Sequence, residues 1–410
     1  MITRRDFMVS GLNATAAGII VPPVLAKGVF AATSEGIHND HVLVVLQLAG
    51  GNDGLNTVVP YADPAYMQLR KNIGIAPDKV LALNGSVGLN PALKNLKTMY
   101  DAKQVAVVQG VGYDKPTYSH FEGMYVWEHA DPAREQADGW LGKLLASQLD
   151  TQGHPLTACA LGEATTPPEL NAPQATVSVI ASSATYDVAG SAAHRAAVPA
   201  LYKRTPGIYG ALFDQALGTA ETGITAVKQS ATTYKPAVAY PTGTRTAGDT
   251  AANTLATSLQ LAASMITTQP SVQVCHVVIS GFDTHQDENT RQDALLASVD
   301  ASLSAFMQDI AGHGMANRVV VMTWSEFGRR IQQNGSNGTD HGAAAPVFIV
   351  GAPVHGGLYG EQPSLTSTID NGNLKYTVDF RSVYQTVIRD WLQGDARSVL
   401  GASYPELPIF

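Results

Sequence analysis

The stretch "HVLVVLQLAGGNDGLN", residues 41–56, runs from an apolar segment straight into a glycine turn that carries a carboxylate. The apolar half predicts a strand that is buried on both faces, as in a parallel sheet. The second half is good turn chemistry, so Asp53 alone is consistent with a plain turn. It is equally consistent with a ligand site, because open α/β folds bind ligands at the carboxyl edge of their strands. Whether Asp53 belongs to a plain turn or to a ligand site depends on the residues near the ends of the other predicted strands.

Four further apolar runs predict buried strands, over residues 104–112, 272–280, 318–325 and 345–351. Amphipathic patterns predict helices over residues 293–314 and 379–394. This alternation predicts an α/β fold with a mainly parallel central sheet and helices on both of its faces.

The middle of the chain, residues 160–255, is rich in Ala, Thr, Ser, Gly and Pro and has a weaker periodicity. We predict that it is an insertion or cap beside the site, with helices near 196–217 and 249–268. Residues 32–410 are predicted to form a single domain around the sheet.

The N-terminus, "TRRDFMVSGLNATAAGIIVPPVLA" at residues 3–26, has paired arginines followed by a modest apolar stretch. This pattern is typical of a twin-arginine export signal, which would end after Ala26 or Ala31. Residues 1–31 are therefore excluded from the fold, and the expected partner is the twin-arginine export machinery. The expected location is the periplasm or another exported one.

Composition excludes some classes of function. With 45% hydrophobic residues and a net charge of −8, the chain has the core of a globular protein and no basic patch for nucleic acid. Nothing after the N-terminus has the length of a membrane span. Cys159 and Cys275 are predicted to be buried thiols rather than a disulfide, and no Cys-x-x-Cys indicates a thiolate metal site.

Each predicted strand has polar residues near one end. Beside Asn52 and Asp53 after the first strand, the other strands contribute Ser119, His120, Asp283, His285, Glu326, Asp340 and His341. The carboxyl ends of parallel strands share one edge, so these groups should converge. Carboxylates that meet without a cation repel one another, which predicts a divalent metal site.

Each of these residues also has an ordinary structural role open to it. Ser119 could simply cap a helix, and Glu326 could pair with Arg329 or Arg330. His276, within a strand, is predicted to be a core residue. Together they predict one or two metal ions, Zn or Mn for mixed oxygen and imidazole ligands and Mg or Ca for mostly oxygen ligands. Beside a cation at a helix start, the Ser119 hydroxyl could act as a nucleophile.

Several motifs, in order along the chain, resemble a known family. They are "LQLAGGNDGLNTVVPY", "SHFEGM", "GFDTHQ", "TWSEFGRR" and "TDHGAAAPVFIVG". With the twin-arginine start, they resemble the bacterial family of domain of unknown function 1501 over nearly the whole mature chain. That family is in turn similar to the alkaline phosphatase and sulfatase superfamily, which implies a metal site at the carboxyl edge of the sheet.

The resemblance implies a role for each matching residue. Asp53 matches a ligand of the metal nearest the nucleophile, and Ser119 matches the nucleophile, with Thr117 as the alternative if the register slips by two. Four further residues match metal ligands, namely Asp283, His285, Glu326 and His341.

The chain departs from the superfamily pattern in three ways. Asp283 and His285 are two residues apart instead of four, and Phe327 stands where a histidine is usual. A second metal site would thus lose a nitrogen ligand and hold a harder ion or none. Asp340 could compensate, or it could orient His341. The sulfatase nucleophile segment is absent, which argues against a formylglycine sulfatase.

The sequence therefore predicts an exported metal-dependent hydrolase of phosphate or sulfate esters, acting on an anionic ester substrate. Asn52, His120 and Arg329 are further candidates for contacts with the substrate or with the metal ligands. The alternative is a non-catalytic exported binding or assembly protein that retains the fold.

Overall fold

The computed structural model describes residues 39–149, 151, 154–187, 193, 197, 208–242, 255–370 and 372–410. The predicted export signal at 1–31 lies outside the described residues, as do residues 196 and 198–207 of the helix predicted near 196–217.

Fourteen strands lie in the described residues. They are β1 Val42–Ala49, β2 Val58–Val59, β3 Leu81–Ala82, β4 Gly88–Leu89, β5 Val105–Gly112, β6 Ala158–Leu161, β7 Ser178–Ile180, β8 Val274–Ser280, β9 Val319–Trp324, β10 Ala345–Val350, β11 Gly357–Tyr359, β12 Thr368–Ile369, β13 Asn373–Leu374 and β14 Val378–Asp379.

Ten α-helices lie in the same described ranges. They are α1 Gly54–Thr57, α2 Pro64–Leu69, α3 Lys94–Asp101, α4 His120–His129, α5 Trp140–Gln148, α6 Ile208–Thr233, α7 Leu255–Thr268, α8 Glu288–Gly312, α9 Phe380–Thr386 and α10 Ala396–Leu400. Short 3₁₀ segments at Pro168–Leu170 and Ala316–Arg318 and a π-helical turn at Val387–Trp391 complete the list.

The central sheet has the strand order β11-β5-β10-β9-β1-β8-β6-β7, with β14 also paired to β5. β10 runs antiparallel to both of its neighbours, and the other pairs are parallel. The predicted mainly parallel sheet is confirmed. The reversed direction of β10 matters for the site, because it puts the start of β10 at the same edge as the ends of β1, β8 and β9.

Helices cover both faces of the sheet, also as predicted. Along β1, Leu43 and Val45 pack into one core with α4, α5 and α9, while Val42 and Val44 pack into the other with α3, α7 and α8. This alternation is the period of two that a strand imposes on its side chains. It explains why the strands read as unbroken apolar runs.

The segment 160–255, predicted to be an insertion or cap, supplies part of the central sheet. It begins at the end of β6 and contains β7, and both strands extend the central sheet at its β8 edge. Both strands are short and rich in small residues, so they leave little periodicity in the sequence. The helix predicted near 249–268 is α7, and the helix α6 continues to Thr233, well past its predicted end.

Cys159 on β6 and Cys275 on β8 are register partners on neighbouring strands. Both are buried free thiols, which confirms the prediction. Burial raises the pKa of Cys159 to about 12, so this thiol stays protonated and unreactive. Among the described residues, no helix is long and apolar enough to cross a membrane.

Candidate metal centre

The glycine turn after β1 is required by close packing. Gly50 and Gly51 have φ angles of +117° and +72°, which favour glycine. A Cβ on Gly50 would lie 2.6 Å from the backbone nitrogen of Asp283, and one on Gly51 would overlap the ring of Phe327. The two glycines therefore let the segments that follow β1, β8 and β9 meet at one point of the sheet edge.

Four predicted residues converge there, and we call them the histidine–aspartate cluster. They are His120 at the start of α4, Asp283 and His285 after β8, and His341 before β10. The Nε2 atoms of His285 and His341 lie 3.0 and 3.2 Å from Asp283 Oδ1, and His120 Nε2 lies 3.6 Å from Asp283 Oδ2. His120, Asp283 and His341 offer ligand atoms that all lie within 4.8 Å of one another.

The other ring nitrogen of each histidine faces an oxygen acceptor. His120 Nδ1 lies 2.8 Å from Glu326 Oε1, and His341 Nδ1 lies 2.7 Å from the carbonyl oxygen of Tyr118. His285 Nδ1 lies 3.3 Å from Asp340 Oδ1. We assign the proton of each neutral ring to Nδ1 on the basis of these acceptors, which leaves the three Nε2 lone pairs facing the cluster.

This arrangement needs a positive charge at its centre. The Nε2 atoms of His285 and His341 are only 3.0 Å apart. Two lone pairs at this distance repel unless a proton or a cation lies between them. The donor set, three imidazole nitrogens and a carboxylate, fits a divalent transition metal.

The charges around the cluster keep its carboxylate ionised. Burial acts to raise the pKa of Asp283, but the hydrogen bond and charge of Arg329 outweigh it and lower the pKa to about 2. Burial lowers the pKa of His341, and the charge of Arg329 lowers it further. Asp283 is therefore an anion and His341 a neutral ring near neutral pH, which are the forms that bind metals.

Arg329, predicted to contact the substrate or the metal ligands, is a buried residue at the sheet edge that contacts Asp283. Its guanidinium donates to Asp283 Oδ1 at 2.6 Å and to the carbonyl oxygens of Gly50, Gly51, Phe282 and Thr339. The residue is 1% exposed. Arg329 therefore holds Asp283 in place and has no donor directed at solvent.

Asp53 is not part of the cluster. It is fully buried, and both of its oxygens accept from the guanidinium of Arg70, at 3.0 Å for Oδ1. Oδ1 also accepts from Leu55 N and so caps α1. Asn52 is equally buried and accepts from Thr57 and Gln292. The predicted role of Asp53 as a metal ligand stays a prediction, and the proposals below do not use it.

Glu326 and Asp340 contact histidine rings of the cluster from its outer side. The Glu326 carboxylate accepts from the backbone nitrogen of Gly50, at 2.9 and 3.1 Å, as well as from His120. Its hydrogen bond raises the pKa of His120. Asp340 accepts from His285 and from Asn334, not from His341. Both carboxylates thus orient histidine rings in this structure.

Glu288 lies beside the Asp53–Arg70 pair and should make stability depend on pH. Burial and the charge of Asp53 raise its pKa to about 9. The folded chain therefore holds a proton that the unfolded chain releases above about pH 4.3, so this group costs stability as the pH rises towards 9. We expect Glu288→Gln to be more stabilising, relative to wild type, at pH 8 than at pH 5. Urea unfolding at both pH values measures this, and an equal effect at both would contradict it.

Ser119 lies between two residues of the site. It is the N-cap residue of α4, and its side chain makes no capping hydrogen bond. The carbonyl of Tyr118 before it holds His341, and His120 after it belongs to the cluster. The hydroxyl of Thr117, the alternative nucleophile, instead donates to Glu122 at 2.6 Å.

Comparison with known proteins identifies the family. The family model described as protein of unknown function (DUF1501) matches residues 112–391. The chain belongs to the DUF1501 family. Its matched region contains the whole histidine–aspartate cluster, and the predicted membership is confirmed. No curated protein matches the chain.

Solved structures resemble the DUF1501 protein only loosely. The lipoteichoic acid synthase LtaP from Listeria monocytogenes matches at 8% identity over 96% of this chain and 79% of that one, with a TM-score of 0.35. The C-terminal periplasmic domain of EcEptC from Escherichia coli, in complex with Zn, matches at 9% identity over 76% and 73%, with a TM-score of 0.36. Ps i-CgsB in complex with k-i-k-neocarrahexaose matches at 9% identity over 89% and 73%, with a TM-score of 0.39. At these values we transfer no residue role from them.

Two features of the DUF1501 protein escaped sequence reasoning. One is Arg330, which was considered only as a partner for Glu326. Its side chain forms no ion pair and no hydrogen bond with another described residue, and its Nε is buried. The other is the environment of His276, which was predicted to be a core residue and is buried between the carboxylates of Glu163 and Glu169, at 2.5 and 3.2 Å. The only signal in the sequence was the adjacent pair Arg329 and Arg330, since two neighbouring arginines rarely both find an ion-pair partner.

Proposed function

We propose that this DUF1501 protein is a metal-dependent hydrolase of phosphate or sulfate esters, with its metal held by the histidine–aspartate cluster. The observation that carries the proposal is the orientation of the three rings. Each Nδ1 faces an oxygen acceptor, and each Nε2 faces the carboxylate of Asp283. Rings fixed by such acceptors are the usual neighbours of a bound metal.

The donor set favours zinc or manganese over magnesium or calcium, because imidazole nitrogen is a poor ligand for the harder ions. A divalent cation there would stabilise negative charge on an ester oxygen and lower the pKa of a nearby hydroxyl. The side chains of Asp283 and His285 are 46% and 43% exposed, so a substrate can reach the cluster from solvent.

Ser119 is the proposed nucleophile. It precedes a cluster residue, at the N-terminus of α4, where the positive end of the helix favours an anionic oxygen. In the proposed reaction the Ser119 hydroxyl releases its proton to solvent and its oxygen attacks phosphorus or sulfur. The bond to the ester oxygen breaks, and the alcohol leaves after taking a proton from solvent. Water later cleaves the bond between Ser119 and the bound group and restores the hydroxyl.

Arg330 supports an anionic substrate. Its charge acts on Tyr118 and Asp340, which are the residues that hold His341 and His285. A guanidinium at this place without an ion pair to any described residue can donate two parallel hydrogen bonds to a phosphate or sulfate group. Arg329 cannot, because its donors are already used.

Export by the twin-arginine pathway to the periplasm is part of the proposal. It is supported by Arg4 and Arg5 and the apolar stretch that follows them. This pathway exports folded chains, which would let the metal enter before export.

Metal analysis of the purified chain tests the proposed centre. We expect wild type to contain zinc or manganese and His285→Ala to lose one equivalent per chain, because the variant removes a ligand and leaves the Asp283 carboxylate with fewer partners. Elemental mass spectrometry on both proteins measures this. His355→Ala is the matched control, since His355 is exposed and lies outside the cluster.

Equal metal content in wild type and His285→Ala would contradict the proposed metal centre. A metal-bound protein that turns over no phosphate or sulfate ester would instead favour the alternative, an exported binding or assembly protein.

A further inference from the structure

The segment that leads to Ser119 is held by side chains rather than by regular structure. Residues 114–118 lie between β5 and α4 and belong to no helix or strand. The backbone nitrogen of Thr117 donates to the hydroxyl oxygen of Tyr113 at 3.3 Å, and the backbone nitrogen of Ser119 donates to the hydroxyl oxygen of Thr117 at 3.3 Å. The position of Ser119 therefore depends on the side-chain contacts of this segment.

Tyr118 connects this segment to the hairpin formed by β12 and β13. Its phenol hydroxyl donates to Oδ2 of Asp370 at 2.6 Å, although the two residues are 252 positions apart in the chain. Burial raises the pKa of the Tyr118 phenol, and the hydrogen bond to Asp370 raises it further, so the hydroxyl keeps its proton and is the donor. A hydroxyl that donates to a carboxylate makes one of the stronger hydrogen bonds in proteins.

The hairpin has anchors of its own. Asp370 lies in its turn, with a φ of +41° in the left-handed region that residues other than glycine seldom adopt. Asn373 Nδ2 donates to the carbonyl oxygen of Asp370 at 3.1 Å, and Ile331 N donates to the carbonyl oxygen of Gly372 at 3.3 Å. Leu374 is buried in one apolar cluster with Ile331. Backbone in such a conformation persists only where its surroundings hold it, and it is concentrated at functional sites.

The backbone of Tyr118 contacts the histidine–aspartate cluster directly. Its carbonyl oxygen lies 2.7 Å from Nδ1 of His341, and the same peptide group continues into the nitrogen of Ser119. One peptide group therefore orients a ring of the cluster and carries the proposed nucleophile. A displacement of this peptide would move both, and a displacement of about 1 Å in an active site lowers a rate by about two orders of magnitude.

We propose that Tyr118 is a positioning residue, whose hydrogen bond to Asp370 fixes the peptide group between the Tyr118 carbonyl and Ser119. This inference rests on the proposed function, a metal-dependent hydrolase at the histidine–aspartate cluster. It gives the hairpin a part in the reaction, although Asp370 is itself an exposed residue. The rival is a surface contact that holds the hairpin and has no effect on the site.

A double-variant cycle on the full chain separates the two. We expect Tyr118→Phe and Asp370→Ala each to lower kcat with para-nitrophenyl phosphate or sulfate by at least about tenfold, with KM changed by less than about twofold. Each should raise the dissociation constant for zinc at least about threefold, because the carbonyl that orients His341 is no longer held. Competition with a chromogenic chelator measures zinc binding. The double variant should lose no more than either single variant, since all three lack the same bond.

Two further variants serve as controls. Asp370→Asn retains an acceptor oxygen and should keep most of the activity that Asp370→Ala loses. Tyr61→Phe is the matched control for Tyr118→Phe, because the hydroxyl of Tyr61 also donates at 2.6 Å, to the carbonyl oxygen of Asn84, and both tyrosines are partly exposed. We expect Tyr61→Phe to keep the wild-type kcat and zinc affinity.

Wild-type kcat and zinc affinity in Tyr118→Phe and Asp370→Ala would overturn the proposal, even if their unfolding midpoints fell. Equal losses in Tyr61→Phe, or losses that multiply in the double variant, would overturn it as well. If the wild type hydrolyses neither ester and the two variants still bind zinc more weakly, the hydrolase is contradicted and the positioning of His341 stands. A wild type that binds no zinc would contradict both proposals.

Discussion

Arg70→Met is expected to destabilise the fold by about 3–5 kcal/mol, because it leaves a buried carboxylate without its counter-ion. Arg70 and Asp53 are both fully buried and joined by two hydrogen bonds. The same guanidinium also donates to the backbone oxygens of Arg330 and Ile331, at 2.9 and 2.8 Å. Methionine fills much of the volume and replaces none of these donors. Urea unfolding at pH 7 measures the loss.

The double variant Asp53→Asn/Arg70→Met isolates the charge. Asparagine still accepts from Leu55 N at the start of α1 and carries no charge to leave unpaired. We expect the double variant to be more stable than Arg70→Met alone, since replacing both partners of a buried pair costs less than removing one. A loss below about 1 kcal/mol in Arg70→Met, or no recovery in the double variant, would contradict a stabilising role of the buried Asp53–Arg70 ion pair.

The Asp53–Arg70 pair marks where sequence reasoning reaches its limit. The position of Asp53 after β1 was predictable from the apolar run and the two glycines. Its partner was not, because Arg70 follows α2 in a segment without periodicity and no local rule pairs the two. The sequence pattern around a buried carboxylate after a strand is therefore the same whether the carboxylate binds a metal or pairs with an arginine.

The convergence of His120, Asp283, His285 and His341 was predictable for a physical reason. Strand ends of a parallel sheet share an edge, and each residue lies near such an end. The direction of β10 was not predictable, yet it brings His341 to that edge from the start of its strand. The acceptors at each Nδ1 were also hidden, since one of them is the backbone carbonyl of Tyr118.

Neighbouring residues with opposite environments explain why the sequence did not separate the roles of Arg329 and Arg330. The backbone of Arg329 forms an isolated antiparallel β-bridge with His341, and its side chain turns inward to five acceptors. The guanidinium of Arg330 forms no ion pair with another described residue. Adjacent residues in extended backbone point to opposite sides. Choosing between two adjacent arginines therefore needs the local register, which no pattern in "SEFGRR" supplies.

Ser119→Ala is expected to lower ester hydrolysis by at least about three orders of magnitude while leaving the metal bound. The variant removes the proposed nucleophile and none of the proposed ligands. Its backbone is unaffected at the N-cap, because the Ser119 side chain makes no capping hydrogen bond. The measurement is the rate with para-nitrophenyl phosphate and para-nitrophenyl sulfate, with metal content and unfolding midpoint determined on the same samples.

Thr117→Val is the matched control for Ser119→Ala, because its hydroxyl is two residues away and donates to Glu122. We expect it to retain activity on whichever ester the wild type hydrolyses. Loss of activity in Thr117→Val with full activity in Ser119→Ala would move the nucleophile to Thr117 and leave the metal centre standing. Full activity in both variants would mean that no hydroxyl of this segment attacks the ester, so that water must be the nucleophile.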